Sequence, residues 1–297
     1  MMSDLWLLCR RNNGYLNEFL LLTRHDRTVR NVTDNESGLP SSKYNRAGSI
    51  TICMFAFMLG ASAAARPAPA GLPDRLELTY QLHYGEILAG HTRKTLTRQP
   101  DGSYRHRTHS LPAGMAKLFT SAEWIEEGVF RVRAAQVQAL SFLKYREGGS
   151  KPRRQSVTFD WPKKLARYGD GREEPLPANA HDESSVLYEL MLNPPPPDKA
   201  ARSVSINNGK RFILYRYQTL GREPLDTPLG RLQTLKIKRL VEPTAPCQGP
   251  GRDAKACKPD SELTLWLAVE RGNLPVKIQM QEGDREATLT LQSVAGL

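Results

Sequence analysis

Histidines, clustered acids, a serine pair and two late cysteines are the groups in this chain able to ligate, attack or transfer protons. After residue 65 the histidines are His83, His91, His106, His109 and His181. His106 and His109 stand three apart, so on a strand they face opposite sides and cannot share a metal. His83 and His91 fall on adjacent predicted strands, but a zinc-type centre needs a third protein ligand and the sequence names none. The histidines are therefore expected to be solvent-facing or hydrogen-bonded structural residues, with no metal bound. Ser184-Ser185 stands at a predicted helix start, where serines act as caps, and no Gly-x-Ser-x-Gly elbow surrounds either one. Glu123, Glu126 and Glu127, or Glu173 and Glu174, offer clustered carboxylates. Adjacent acids on a strand or loop diverge, whereas glycoside hydrolysis wants two facing each other across about 5–10 Å. No phosphate-cradling glycine loop occurs. The expectation is a non-enzymatic chain without catalytic residues or cofactor; a hydrolase built on His83, His91 and Ser184 is the weaker alternative.

The remaining chemistry is that of Cys247 and Cys257, which stand ten apart in a Pro- and Gly-rich stretch. In an oxidising compartment they are expected to form a disulfide closing a short loop, worth about 2–3 kcal/mol. A metal half-site there lacks a neighbouring His or further Cys. The compartment is legible upstream. Lys43 and Arg46 precede an apolar run from Ile50 to Gly60, followed by Ala61-Ser62-Ala63-Ala64-Ala65. Positive flank, short apolar core and an A-x-A site at Ala63 and Ala65 make a secretory signal peptide over 46–65, cleaved near Ala65. The expected destination is the periplasm. Residues 1–45 form a polar extension that a signal peptide should not have ahead of it, and a mis-called translation start explains it most simply. Cys53 lies inside the apolar core without the small residues that precede a lipidated cysteine, so no lipid anchor is expected.

These groups need a scaffold, and composition bounds it. The 297 residues include 42 Lys and Arg against 31 Asp and Glu, a net charge of +11, with 39% hydrophobic residues. That is too apolar for disorder, and no run of 18 apolar residues offers a membrane helix. From residue 73 onward turn signals recur every eight to fifteen residues, and between them the text alternates. Leu76, Leu78, Tyr80 and Leu82 share one face, as do Leu235 and Ile237, Leu263, Leu265 and Leu267, Val276 and Ile278, and Leu289 and Leu291. Period two with tight turns predicts antiparallel strands with one face buried. About eleven segments qualify, at 75–84, 86–98, 103–111, 121–126, 129–143, 155–161, 203–207, 211–220, 229–241, 262–270 and 274–281, with 285–294 a twelfth. Helical period occurs once: over 182–192, Val186, Leu187, Leu190 and Met191 form a stripe, Asp182 is the expected N-cap, and Pro194 to Pro197 stop the helix. A sheet this wide curls. The prediction is one mainly β domain over 73–297, a curved antiparallel sheet (half-barrel or open barrel) with one covering helix.

Several short motifs recur in serial order: Gly85-Glu86-Ile87-Leu88-Ala89-Gly90, Phe159-Asp160-Trp161, the helix from Asp182 to Leu190, Gly209-Lys210, and Leu265-Trp266-Leu267 running to Leu274-Pro275-Val276-Lys277-Ile278. In that order the chain resembles the bacterial envelope family catalogued as domain of unknown function 3108, over nearly all of 73–294. The resemblance implies an exported, mostly β protein, and it supplies no catalytic residues. More loosely, the architecture is similar to the half-barrels of periplasmic lipoprotein carriers, which hold acyl chains between a curved sheet and a helical lid.

If the sheet curls around the helix, Tyr80, Trp124, Phe130, Trp161, Leu187, Met191 and Trp266 are the candidate lining of a ligand-binding interior. Trp266 is the doubtful member, since Leu265 and Leu267 point the other way. The expected ligand is a lipid or other amphiphile. Basic groups at Arg105 and Arg107, Arg131 and Arg133, Lys151 to Arg154, and Lys236 and Lys238 suit an anionic envelope surface through a screened field. Export excludes nucleic acid as a natural partner. An envelope protein docking on strand edges, with this chain as scaffold or assembly factor, is the alternative reading.

Overall fold

The computed structural model describes residues 71–296 apart from 119, 149–152, 198–199, 241–261 and 284. The predicted leader and the Cys247–Cys257 loop lie outside the described residues. No helix among the described residues is long and apolar enough to cross a membrane.

Alternating sequence becomes strand wherever a turn lets the chain double back. Eight strands come first: β1 (Arg75–Tyr84), β2 (Ile87–Arg98), β3 (Tyr104–Pro112), β4 (Glu123–Arg133), β5 (Gln136–Glu147), β6 (Arg153–Asp160), β7 (Leu165–Tyr168) and β8 (Glu173–Pro175). The short β9 (Ala180–Asp182) leads into the helix α1 (Ser185–Leu192). Six more strands follow: β10 (Arg202–Asn207), β11 (Phe212–Thr227), β12 (Gly230–Leu240), β13 (Glu262–Ala268), β14 (Leu274–Glu282) and β15 (Arg285–Ala295). All fifteen belong to one sheet, in the order β8-β7-β6-β5-β4-β3-β2-β1-β15-β14-β13-β12-β11-β10-β9. Two meanders thus meet where β1 pairs with β15, and every pairing is antiparallel except β9 with β10. The sheet is mainly β, curved and unclosed, as predicted. One free edge is β8, whose Glu173, Glu174 and Pro175 discourage another chain from pairing there.

Three strands beyond the predicted twelve are β7, β8 and β9, each four residues or shorter. A second difference concerns the hairpin between β4 and β5. The expected turn at Glu127-Gly128 is strand instead, and the chain reverses at Ala134-Ala135, both with positive φ (48° and 61°). Gly128 has a different duty. A Cβ there would lie 2.3 Å from His106 Nε2 and 2.8 Å from the Ser141 carbonyl, so the glycine makes room for the imidazole on the neighbouring strand.

The interior face follows the predicted alternation. Leu76, Leu78, Tyr80 and Leu82 of β1 are buried and join Leu235, Ile237, Leu265, Leu267, Val276, Ile278, Leu289 and Leu291 in one large core. A smaller cluster forms under β5 to β7 from Phe142, Val157, Phe159, Ala166 and Tyr168. Helix α1 is buried from Ser185 through Met191 and has no solvent face. It is an internal plug rather than a surface cover, packed on β5, β9 and β14. Asp182 caps its first turn: one carboxylate oxygen accepts the N–H groups of Ser184 (2.9 Å) and Ser185 (2.8 Å), and the Ser185 hydroxyl accepts the Asp182 N–H (3.0 Å). The helix ends at Asn193, whose N–H still reaches the Glu189 carbonyl at 2.8 Å, and the four prolines that follow cannot extend it.

Candidate functional site

Strand register lines up a polar row on the inner face of the first meander. Leu78 stands opposite Lys94, Lys94 opposite Thr108, Thr108 opposite Glu126, and Glu126 opposite Lys144. The row towards the β1–β2 turn holds Tyr80, Thr92, Ser110, Trp124 and Arg146. The row on the other side holds Leu76, Leu96, His106, Gly128 and Phe142. Because side chains alternate, every residue in these rows faces the same interior. The start of α1 adds Asp182, Glu183 and Ser184 to it.

Most of this niche is internally bonded. Lys94 Nζ donates to the Thr108 hydroxyl at 3.0 Å, Thr92 and Ser110 share a hydrogen bond of 2.9 Å, and Lys144 Nζ pairs with Glu183 at 2.6 Å. The Ser184 hydroxyl donates to Glu126. The exception is His106 with Asp182. Both are buried, and His106 Nε2 lies 3.7 Å from an Asp182 oxygen, beyond hydrogen-bond reach. Neither ring nitrogen of His106, nor the second carboxylate oxygen of Asp182, has a hydrogen-bond partner among the described residues. Around the imidazole stand aromatic rings: Phe130 and Tyr188, each 6.0 Å away, with Tyr104 stacked on Phe130 at 5.4 Å.

Burial sets the charge state. Desolvation pulls His106 down to about 4, overriding the opposite pull of Glu126, so the ring is neutral at pH 7. Burial also raises Asp182, against the hydrogen bonds from Ser185 and Ser184, and raises Glu183, against Lys144. Lys94 is lowered by desolvation while Glu126 and Asp182 work against the shift. The niche therefore offers acceptors and a neutral imidazole in a desolvated setting.

Ser184 is bonded to a carboxylate rather than to an imidazole, so the base–nucleophile pair of acyl transfer is not assembled on it. No group of three His, Cys, Asp or Glu able to hold a metal occurs among the described residues.

Of the seven residues expected to line the interior, Tyr80, Trp124, Phe130, Leu187 and Met191 come together in the large core around α1. Tyr80 donates its hydroxyl to the Pro275 carbonyl at 2.8 Å, and the Arg146 guanidinium lies over Trp124 at 5.4 Å. Trp161 packs instead against the smaller cluster, its indole N–H donating to the Ala139 carbonyl at 2.6 Å. Trp266 is buried as well and belongs to the same large core. It faces away from Leu265 and Leu267, between its cross-strand partners Lys236 and Lys277, whose ammonium groups lie 5.2 and 4.7 Å from the ring. Its N–H donates to Glu223 at 2.6 Å. Lys236, Lys277 and Glu223 thus cover this indole on the face opposite Leu265 and Leu267.

Lys94, His106, Glu126 and Asp182 were not expected to meet. Their only signal is the i, i+2 spacing of Thr92, Lys94 and Leu96 and of His106, Thr108 and Ser110, which also fits a wet face.

The comparisons with known proteins bear on what class of chain carries this site. The family model described as "Protein of unknown function (DUF3108)" matches residues 79–292, and the chain belongs to that family. No curated protein matches the sequence. Among solved structures, a β-barrel-like protein of domain of unknown function DUF1849 from Brucella abortus shares 9% identity, covering 75% of this chain and 98% of that one, with a TM-score of 0.49. A candidate lipoprotein from Parabacteroides distasonis shares 8% identity over 77% of this chain and 100% of that one, with a TM-score of 0.33. A candidate exported protein with a YmcC-like fold from Bacteroides fragilis shares 9% over 76% and 97%, with a TM-score of 0.32.

Proposed function

We propose that this chain is an exported, non-catalytic binding module that takes the polar end of an amphiphile at the His106–Asp182 niche, with its apolar part against the core around α1. The leader over 46–65 supports export. The observation that carries the reading is the unmet hydrogen-bonding capacity of His106 and Asp182, which are 1% and 0% exposed. A buried polar group left unpaired costs about 1–3 kcal/mol, so such groups are kept where something else meets them. The aromatic handles nearby behave otherwise: Tyr80, Tyr104 and Trp161 each donate to a carbonyl of the chain itself. A hydroxyl or amide of a ligand headgroup matches a neutral imidazole beside a carboxylate.

The test uses Trp124, which belongs to the same core. Brominated fatty acid or lysophospholipid is expected to quench its fluorescence in the wild type, and His106→Leu to weaken the quenching. Quenching absent from the wild type, or undiminished in the variant, contradicts the reading.

A second reading, scaffold or assembly factor, is favoured by the interior itself. Tyr80, Phe130 and Leu190 are completely buried among the chain's own side chains, and α1 fills space that a ligand would need. One dominant protein partner in whole-cell cross-linking, with no bound amphiphile, selects that reading.

A further inference from the structure

Among the described residues six large apolar side chains are strongly exposed, and four of them gather at one rim of the sheet: Ile87 (49%), Leu111 (37%), Met115 (58%) and Leu118 (73%). The other two, Leu214 and Leu220, stand six residues apart on β11. The gathering is built by a 3-10 turn at Gly114–Leu118 after β3. With three residues per turn, positions i and i+3 eclipse, so Met115 and Leu118 share one side and Ala116 turns inward, where it is buried. The turn is fastened across the first residues of β2. Ala113 donates its N–H to the Ala89 carbonyl at 2.9 Å, and Gly114, at φ +53°, backs so closely onto the Leu88 carbonyl that a Cβ would sit 2.8 Å from it. Ile87, the residue before Leu88, thereby borders the turn, and Leu111 precedes it in the chain.

We infer that this rim is a membrane-docking edge: the 3-10 turn inserts Met115 and Leu118, flanked by Ile87 and Leu111, into the interface of an anionic bilayer. Charge favours that occupant. Lys117 sits between the two inserted residues, and no acid occurs from Leu111 to Ala122; of the acids flanking this stretch, Glu86 adjoins Ile87, and Glu123 pairs with His109 at 2.7 Å. A shallow apolar wedge beside a cation is what an interfacial anchor on an anionic leaflet needs. Size argues against a protein. Four side chains fall well short of the roughly 800 Å² per partner of a stable protein interface. An anchor this small holds only weakly, as suits a chain that visits a membrane and leaves it.

The inference stands apart from the ligand reading, and its test does too. Purified protein is floated with vesicles of phosphatidylcholine alone or of phosphatidylcholine mixed with phosphatidylglycerol. The wild type is expected to float with the anionic vesicles, less so as salt is raised. Met115→Asp with Leu118→Asp should lower the vesicle-bound fraction at least about tenfold, since each removes a buried apolar side chain from the anchor. Leu214→Asp should leave it unchanged, and so should His106→Leu, which separates docking from the niche. The substituted side chains are exposed, so the thermal midpoint should match the wild type. Flotation by the double variant equal to the wild type, an equal loss in Leu214→Asp, or no flotation by the wild type overturns the proposal. So does capture of the patch by a protein in place of vesicles.

Discussion

At the scale of single residues, His106 concentrates the physics of the site. Its ring is neutral because burial opposes the charged form, and its space exists because residue 128 has no side chain. Gly128→Ala places a methyl group 2.3 Å from the imidazole, so ring or strand must shift. The expected cost is about 2–3 kcal/mol, read as a lower midpoint in urea, as for other overpacked cores. Acid acts through the same residue. The pKa of His106 falls from 6.5 unfolded to about 4 folded, and that of His181, buried on β9, falls equally. Each therefore contributes its full stability above pH 6.5, and that contribution is lost as pH drops from 6.5 towards 4, when the unfolded chain binds protons that the folded one refuses. Asp182 and Glu183 have the opposite sign, because their raised pKa values favour the folded form once protonated. Denaturant titrations across this range should show stability declining with acid, with a shallower slope for His106→Leu. An equal slope in the variant removes the buried-histidine account.

At the scale of elements, what could be read in advance was what repeats. Period-two stretches became strands, and the one stretch of helical period before the four prolines became α1. The β4–β5 reversal escaped because Ala134-Ala135 contains no turn-forming residue. It is held in the left-handed region by the strands it joins, at a cost of about 1–2 kcal/mol per non-glycine residue. Ala135→Gly should relieve that conformation and raise stability by about 0.5–1 kcal/mol, visible as a higher thermal midpoint; a lower midpoint means the hairpin is not held as described. The niche escaped for another reason. Alternation gives two faces without saying which is wet, and Lys94, His106, Thr108 and Glu126 read naturally as the wet one. Only Leu96, two residues beyond Lys94, points to an inner face. For Trp266 the alternation of Leu265 and Leu267 was legible in advance, and the indole is buried between Lys236 and Lys277 on the opposite face.

At the scale of the whole molecule, two meanders joined through β1 and β15 leave a curved sheet unclosed, and the chain folds its own mid-section inward to fill it. Helix α1 plugs the interior, β9 packs against β5, and the first turn of the helix meets a row of polar residues that four strands bring into register. The apolar rim formed by Ile87, Leu111, Met115 and Leu118 lies at the end of the sheet bearing the β1–β2 turn, towards which the Thr92–Ser110–Trp124 row also lies. In this account the membrane contact falls at that end, and the His106 row lies farther along the strands, beyond Lys94. The central claim is that an amphiphile completes the His106–Asp182 niche. Native mass spectrometry of protein purified without denaturation, wild type beside Asp182→Asn and His106→Leu, tests it most directly. The account predicts a lipid-sized added mass on the wild type that both substitutions deplete; a wild type that flies bare, or an adduct indifferent to both changes, contradicts it.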